Sequence, residues 1–301
     1  MTAKPIDVLI LTEDRYVELD DKDWYQAQIA REEDLVASAL RALGLRVARC
    51  SWADPDMDWA RCGCVLFRST WDYFDRFVEF SPWLDAVSAR TRLFNDASLI
   101  RWNVDKHYLA DLAARGVAIV PTRYVERGEA GTLAAIMGAE GWDEVVFKPA
   151  VSGAARLTFR VSTATVAEHE PVFARCVAQE AMMVQAFEPA IIDDGELSLI
   201  VIDGRATHAI RKTARAGDFR VQDDHGGTVH PHGPDAAECA FAEAAVAACP
   251  SLPMYARVDF VRSGPGVFRL MELELVEPEL FFRFHPPAAT ALALALAEKL
   301  R

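Results

Sequence analysis

Tyr255-Ala-Arg257-Val-Asp259-Phe-Val261, the turn Ser263-Gly-Pro-Gly266 and Val267-Phe-Arg-Leu-Met-Glu272-Leu-Glu274-Leu275 read together as a hairpin of two strands. Glu272 and Glu274 stand two apart in a strand, so they project from one face, and Met271, Leu273 and Leu275 take the other. Asp259 comes alongside across the hairpin, and Arg257 shares its face. Three carboxylates on one face repel unless a cation lies among them. Oxygen-only donors suit magnesium, which takes a few carboxylates plus phosphate oxygens. A solvated strand face, with acids alternating against core residues, fits the same spacing, and spacing alone leaves both readings open.

Cations lie on separate elements before this hairpin. Lys148 ends the apolar run Val145-Val-Phe-Lys148, where an unpaired charge is costly to bury. Lys106 sits early in a helix, Arg211-Lys212 ends a strand, and Arg220 follows in Gly217-Asp-Phe-Arg220. With a magnesium site and the small-residue segment Val151-Ser-Gly-Ala-Ala155, they suggest a bound polyphosphate; each cation alone reads as a surface charge. The Walker A spacing is absent, which excludes a P-loop NTPase. Asp223-Asp-His225-Gly226-Gly227-Thr-Val-His230-Pro-His232 could supply transition-metal ligands, but its glycines and polarity favour a loop that closes over substrate.

Further out, the first hundred residues alternate strand and helix. Strands are expected at Ile6–Leu11, Leu45–Cys50, Cys64–Phe67 and Arg92–Phe94, and helices at Ile29–Leu43 and Phe77–Val87, which is a parallel α/β module. Leu11-Thr-Glu-Asp-Arg15 follows the first strand where a dinucleotide site needs Gly-x-Gly-x-x-Gly, so NAD and FAD are not expected. Arg68-Ser69-Thr-Trp71-Asp-Tyr73 follows the third strand, at the end where parallel sheets bind ligands; a helix N-cap turn is the compatible plainer reading. A second module, 103–188, is expected to hold a helix over 104–115, a strand over 117–120, and strands ending at Lys148, Val161 and Gln185. The third, 189–301, opens with a hairpin across Asp203-Gly204, a type I′ signal.

Composition agrees with such a protein. The 301 residues are 51% hydrophobic and 26% charged, which excludes wholesale disorder, collagen and coiled coil. A formal charge of −13 makes non-specific nucleic-acid binding a poor fit. The chain lacks a run of roughly 18 apolar residues and a signal-peptide core, so a cytoplasmic protein without membrane association is expected. The six cysteines then read as reduced thiols, with Cys62-Gly-Cys64 in the core rather than on a metal.

In order, these clusters resemble the ATP-grasp superfamily, in its glutathione synthetase and ribosomal-protein-S6 glutamate ligase branch. Asn103-Val-Asp-Lys106 and Phe147-Lys148-Pro149 look like its two nucleotide-phosphate lysines, and Val184-Gln185-Ala186-Phe187-Glu188 like the hinge strand that meets adenine, with Glu188 for the ribose. Arg257-Val-Asp259 with Glu272-Leu-Glu274 matches its magnesium motif, except that Glu274 stands where Asn is more usual. Arg68-Ser-Thr-Trp-Asp-Tyr73, Trp102-Asn-Val-Asp-Lys106, Val120-Pro-Thr122 and Glu272 to Pro278 are most similar to the cycloserine synthetase group, the O-ureido-serine cyclo-ligases.

The resemblance implies an N-terminal α/β module over 1–102 and two α+β modules, 103–188 and 189–301, enclosing ATP. It implies Glu196 and Lys212 as further nucleotide contacts, Arg257, Arg220 and Arg211 as catalytic cations, and Arg68, Ser69, Trp71, Tyr73, Arg220, Gly226 and Gly227 as substrate contacts. The cofactors implied are ATP and two magnesium ions, with manganese as a substitute. The partner is a small carboxylate or amino acid, and a homodimer is compatible. The chemistry implied is activation of a carboxylate as an acyl phosphate, then displacement of phosphate by an amine-type nitrogen, within one molecule as in cycloserine synthesis or between two.

Two other readings stay open. A non-catalytic ATP-binding module would tolerate loss of the acidic triad, which is intact. A glycoside hydrolase needs two carboxylates facing across ~5–10 Å, which Glu272 and Glu274 on one strand face do not supply.

Overall fold

A computed structural model describes residues 5–153, 155–215, 217–221 and 226–301. The N-terminal module is a parallel sheet of β1 (Ile6–Thr12), β2 (Val47–Ser51), β3 (Cys62–Ser69) and β4 (Arg92–Phe94), in the order β2-β1-β3-β4. β1 and β3 are almost wholly buried, as expected of apolar runs covered on both faces. Helix α1 (Trp24–Ala42) begins earlier than its apolar stripe suggests, because Asp23 caps it by accepting from the amides of Tyr25 and Gln26. Helix α2 (Phe77–Ser88) covers the other side. Cys62 and Cys64 are both buried within β3.

Helices α3 (Ala97–Val104) and α4 (Tyr108–Ala114) replace the single helix expected over 104–115. Leu99, Tyr108, Leu109 and Leu112 pack with Leu199, Val258 and Leu273 of the C-terminal sheet. The strand expected at 117–120 is instead an isolated bridge, Ile119 to Leu270, and the strand β5 (Thr122–Val125) follows Pro121. β5 joins β6 (Glu144–Pro149), β7 (Phe159–Ser162) and β8 (Met182–Ala186) in an antiparallel sheet ordered β5-β8-β6-β7. α5 (Leu133–Glu140) and α6 (Val166–Gln179) back this sheet around Phe147, Phe173 and Val184.

After the short helix α7 (Ala190–Asp193), an antiparallel sheet is built from β9 (Glu196–Ile202), β10 (Arg205–Thr213), β11 (Thr228–His232), β12 (Tyr255–Gly264) and β13 (Val267–Glu274). Its order is β11-β10-β9-β12-β13. Asp203 and Gly204 have φ of 45° and 78°, the pair of positive values a type I′ turn requires. Residues 228–232, expected in a closing loop, form the edge strand β11, pairing Arg211 with His230 and Thr213 with Thr228. Helix α8 (Ala236–Ala247) starts at a capping box in which Asp235 and Glu238 satisfy each other's amides. The last helix, α9 (Pro287–Leu300), returns to the N-terminal module, and Leu292 and Leu296 join Val36, Leu40 and Ile10 in one core. Among the described residues no helix is long and apolar enough to cross a membrane.

Candidate active site

A cleft of about 640 Å³ lies where the two antiparallel sheets face each other and the N-terminal module closes one end. Its floor is the hairpin of β12 and β13. The register pairs Arg257 with Glu274 and Asp259 with Glu272, and β9 sets Ser198 beside Asp259. The face expected from alternation is therefore the face that lines the cleft.

Every acid of that face is matched with a cation. Asp259, 3% exposed, takes a two-pronged contact from Arg257, Nε at 3.0 Å and Nη2 at 3.0 Å, and lies 3.2 Å from Lys212 Nζ. Burial opposes its charge, but Arg257 and Lys212 outweigh that and hold its carboxyl far below the usual range. Lys212 also reaches Glu196 at 2.9 Å. Glu272 lies 3.0 Å from Lys106 and 3.7 Å from Lys148. Burial would raise its pKa, yet the two lysines bring it down to about 2. Glu274 pairs with Arg257, but burial, reinforced by Asp259 and Glu272, raises it to about 7. Lys148 is lowered by burial first and by Lys106 second, against the pull of Glu272. Among the described residues no three His, Cys, Asp or Glu side chains gather as a ligand set. In this arrangement each member of the acidic triad is turned to a lysine or arginine. The donors nonetheless suit a hard cation, being carboxylate oxygens on one sheet face, with Glu272 and Glu274 partly open to the cleft.

Lys106 and Lys148 come from different elements but stand side by side, the amide of Lys106 donating to Ala150 O at 2.8 Å just past the end of β6. Lys106 follows α3, and its ammonium also donates to Ser152 O at 2.6 Å, tying down the small-residue segment. In that segment a Cβ on Gly153 would come within 2.5 Å of the Phe74 ring, so a larger residue there would displace Phe74. Gln185, Ala186, Phe187 and Glu188 line the cleft as expected of a hinge. The amides of Ala186 and Phe187 are already used, on Pro121 O and Glu144 O. Glu188 accepts from Ser263 Oγ at 2.8 Å. Arg160 stacks 3.8 Å over Phe187, stiffening this wall.

Several expected contacts lie elsewhere. Arg211 is not in the lining; Lys212 is, and neighbours in a strand face opposite ways. Arg68, 3% exposed, donates to Pro278 O and faces Glu32, and the Ser69 hydroxyl is bonded to Glu33 and Thr12; both line a smaller pocket that shares Tyr25, Trp71 and Glu279 with the cleft. Gly226 and Gly227 are also outside the lining. Trp71, Tyr73 and Arg220 do line it, with Arg220 held by Asp218 at 2.9 Å. His225 lies outside the described residues. His232 bonds the capping Glu238, and His230 bonds Thr228 on the sheet edge, which gives both a local structural role. The aromatic end built by Tyr16, Tyr25 and Trp71, with ring centroids 5.7–6.3 Å apart, carried no signal in the sequence because Tyr16 and Tyr25 lie in a polar N-terminal segment.

Comparison with known proteins agrees with this geometry. Residues 8–95 match the family model described as D-cycloserine synthetase DcsG, N-terminal domain. The chain is 34% identical over 282 residues to the cycloserine biosynthesis protein DcsG of Streptomyces lavendulae, covering 87% of this chain and 92% of that one. The crystal structure of D-cycloserine synthetase DcsG superposes with a TM-score of 0.81 at 32% identity, covering 98% of this chain and all of that one. An ATP-grasp ligase, PsnB, solved with a phosphomimetic variant of its minimal precursor, Mg and ADP, gives a TM-score of 0.66 at 15% identity, with 98% and 99% coverage. The last likeness shows the ATP-grasp fold.

Proposed function

Because the chain belongs to the DcsG family within the ATP-grasp ligases, we propose that it is an ATP-dependent carbon–nitrogen ligase acting on an O-ureido-serine-type amino acid. The observation that carries this reading is the convergence of Lys106, just past α3, and Lys148, from β6, on Glu272. That arrangement concentrates positive charge beside the one sheet face able to hold a hard cation. Glycoside hydrolysis leaves those cations without a purpose. A binding module without catalysis leaves the acidic face without one.

In this reading the substrate carboxylate attacks the γ-phosphorus of ATP, ADP leaves, and an acyl phosphate forms. The substrate nitrogen then attacks the acyl carbon and phosphate departs. Lys106 and Lys148 hold the phosphates, and Arg257 fixes Asp259 and Glu274 on the floor. Magnesium ions held by Asp259, Glu272 and Glu274, two in number and replaceable by manganese, would supply charge stabilisation for the transferred phosphoryl group. Trp71 and Tyr73 form the substrate end, and Arg220 closes from the third module. Gln185 to Glu188 take the adenosine. The assignment extends to the modules 1–102, 103–188 and 189–301 as working units, and to a cytoplasmic enzyme, a homodimer being one option.

The test is phosphate release from ATP with each enantiomer of O-ureido-serine, alongside a panel of other amino acids. Release that depends on an O-ureido-serine and on a divalent ion supports the reading. Tight ATP binding with no consumption across the panel would leave a binding module.

A further inference from the structure

We propose that Glu277 is the proton acceptor for the attacking nitrogen in the carbon–nitrogen bond-forming step, an assignment that rests on the ligase reading above. Glu277 follows β13, where the strand alternation ends, and its backbone is clamped on all sides. Tyr255 donates to Val276 O at 2.8 Å, Trp71 Nε1 to Glu277 O at 3.1 Å, and Arg68 Nη2 to Pro278 O at 2.8 Å. Beyond it, Glu32 accepts from the amide of Leu280 at 2.8 Å. These anchors come from both the N-terminal module and the C-terminal sheet, so the residue is fixed at their seam.

The side chain lines the cleft, yet among the described residues it makes no ion pair and accepts no side-chain hydrogen bond. The floor acids differ: Glu196, Asp259, Glu272 and Glu274 are each committed to lysine or arginine. The Glu277 carboxylate accepts from its own amide and, unlike them, has no cation partner among the described residues. It also stands between the phosphate end, marked by Lys106, Arg257 and Glu274, and the aromatic end, marked by Trp71 and Tyr73. The acyl carbon must sit between those ends. No histidine or cysteine among the described residues lines the cleft, its lysines are all paired, and of its remaining acids Glu188 and Glu279 are held by Ser263 and Arg283 while Asp75 is exposed to solvent.

The environment favours proton uptake. Burial is the main effect and Glu274 adds to it, while Lys106 and Arg257 oppose, and the carboxyl is raised well above its usual range. The remaining groups facing it are the hydroxyls of Tyr73 and Tyr255, themselves kept protonated by burial. In the step, the nitrogen lone pair forms the N–C bond. The C–O bond to phosphate breaks and its electron pair leaves with phosphate. The N–H proton passes to a Glu277 oxygen and from there to water.

The experiment compares wild type, Glu277→Gln and Glu277→Asp with ATP, magnesium and O-ureido-serine, with and without hydroxylamine, which traps an acyl phosphate as a hydroxamate without needing a protein base. For Glu277→Gln we expect ring-forming kcat to fall roughly 10²- to 10⁴-fold and to lose its acid limb. Hydroxamate formation, ATP affinity and thermal midpoint should stay within several-fold or a few degrees of wild type, and Glu277→Asp should restore part of the acid limb. Hydroxamate formation that falls with ring formation would overturn the assignment, as would a raised KM with unchanged kcat, the mark of an ammonium anchor. A wild type that makes no hydroxamate from any tested acid would take down the ligase reading itself, and the assignment with it.

Discussion

Glu272→Gln separates two jobs that one carboxylate holds. In the protein described here Glu272 is the counter-charge of Lys106 at 3.0 Å and Lys148 at 3.7 Å; in the proposed reaction it is also a magnesium ligand. At such distances one pair is worth about 5 kcal/mol at an effective dielectric of ~20 and about 1 kcal/mol in bulk water. With 28% of the Glu272 side chain in water, releasing the two lysines to a phosphate lies between those limits. We take about 1–3 kcal/mol, or roughly 5- to 150-fold in affinity. The variant should therefore bind ATP more tightly than wild type in excess chelator, by calorimetric titration. Turnover at saturating magnesium should fall by at least about 100-fold, a step of roughly 3 kcal/mol in the barrier. Unchanged or weaker metal-free ATP affinity would refute the counter-charge argument, and near-wild-type turnover would remove Glu272 from the metal site.

Other outcomes follow from the same floor and from the core. Lys148→Ala should weaken ATP binding by about 1.5–3 kcal/mol, roughly 10- to 150-fold; calorimetry showing no change would take Lys148 out of the nucleotide site. Lys212→Met leaves Glu196 and Asp259 facing each other without their shared cation, and should cost about 3–5 kcal/mol in denaturant unfolding. The double variant with Glu196→Gln should recover part of that loss, and a strictly additive double variant would contradict the pairing. His208 is pushed down to about 4 by burial first and by His285 second. The unfolded chain takes up this proton near pH 6.5 and the folded one only near 4, so its stabilisation is full above 6.5 and falls away as pH drops toward 4. The loss is about 3 kcal/mol in all, and His208→Gln should flatten the stability curve over that window. An unchanged slope would show that another group is responsible.

The parts legible in the sequence are those where alternation and local chemistry agree. Glu272 and Glu274 against Leu273 and Leu275 could face only one way, and Asp203-Gly204 could form only a tight turn. Elsewhere the deciding partner is far along the chain. For Arg68, the partners that hold it, Glu32 on a helix 36 residues earlier and the carbonyl of Pro278, are not visible from its own neighbourhood in the sequence. Arg211 and Lys212 are adjacent cations of equal promise, and only the register that sets Lys212 against Glu196 tells which enters the cleft. β11 was hidden because Thr228-Val-His-Pro-His232 is polar, half-exposed and contains proline, the composition an edge strand tolerates and a loop shares. Glu277 lies three residues past the strand, where period-two reasoning stops.

The charge of the floor bears on how the cleft can work. Lys106, Lys148, Lys212 and Arg257 are each within 4 Å of a carboxylate, so none waits as a bare positive charge for phosphate. Against them stand Glu196, Asp259, Glu272, Glu274 and Glu277, and the balance before any nucleotide enters is already close to neutral or negative. A triphosphate brings several more negative charges into a partly buried space, where unpaired charge is costly. It can be held there only if positive charge arrives with it and if the lysines change partner from Glu272 to phosphate. Both conditions meet at Glu272. In the proposed reaction the exchange would cost little, because the carboxylate that gives up two ammonium groups would be the one to hold a divalent ion. That also gives Glu274 a physical purpose in a position where an amide is more usual. Burial raises it against the pull of Arg257, so in the proposed reaction a cation binding there would compete with a proton.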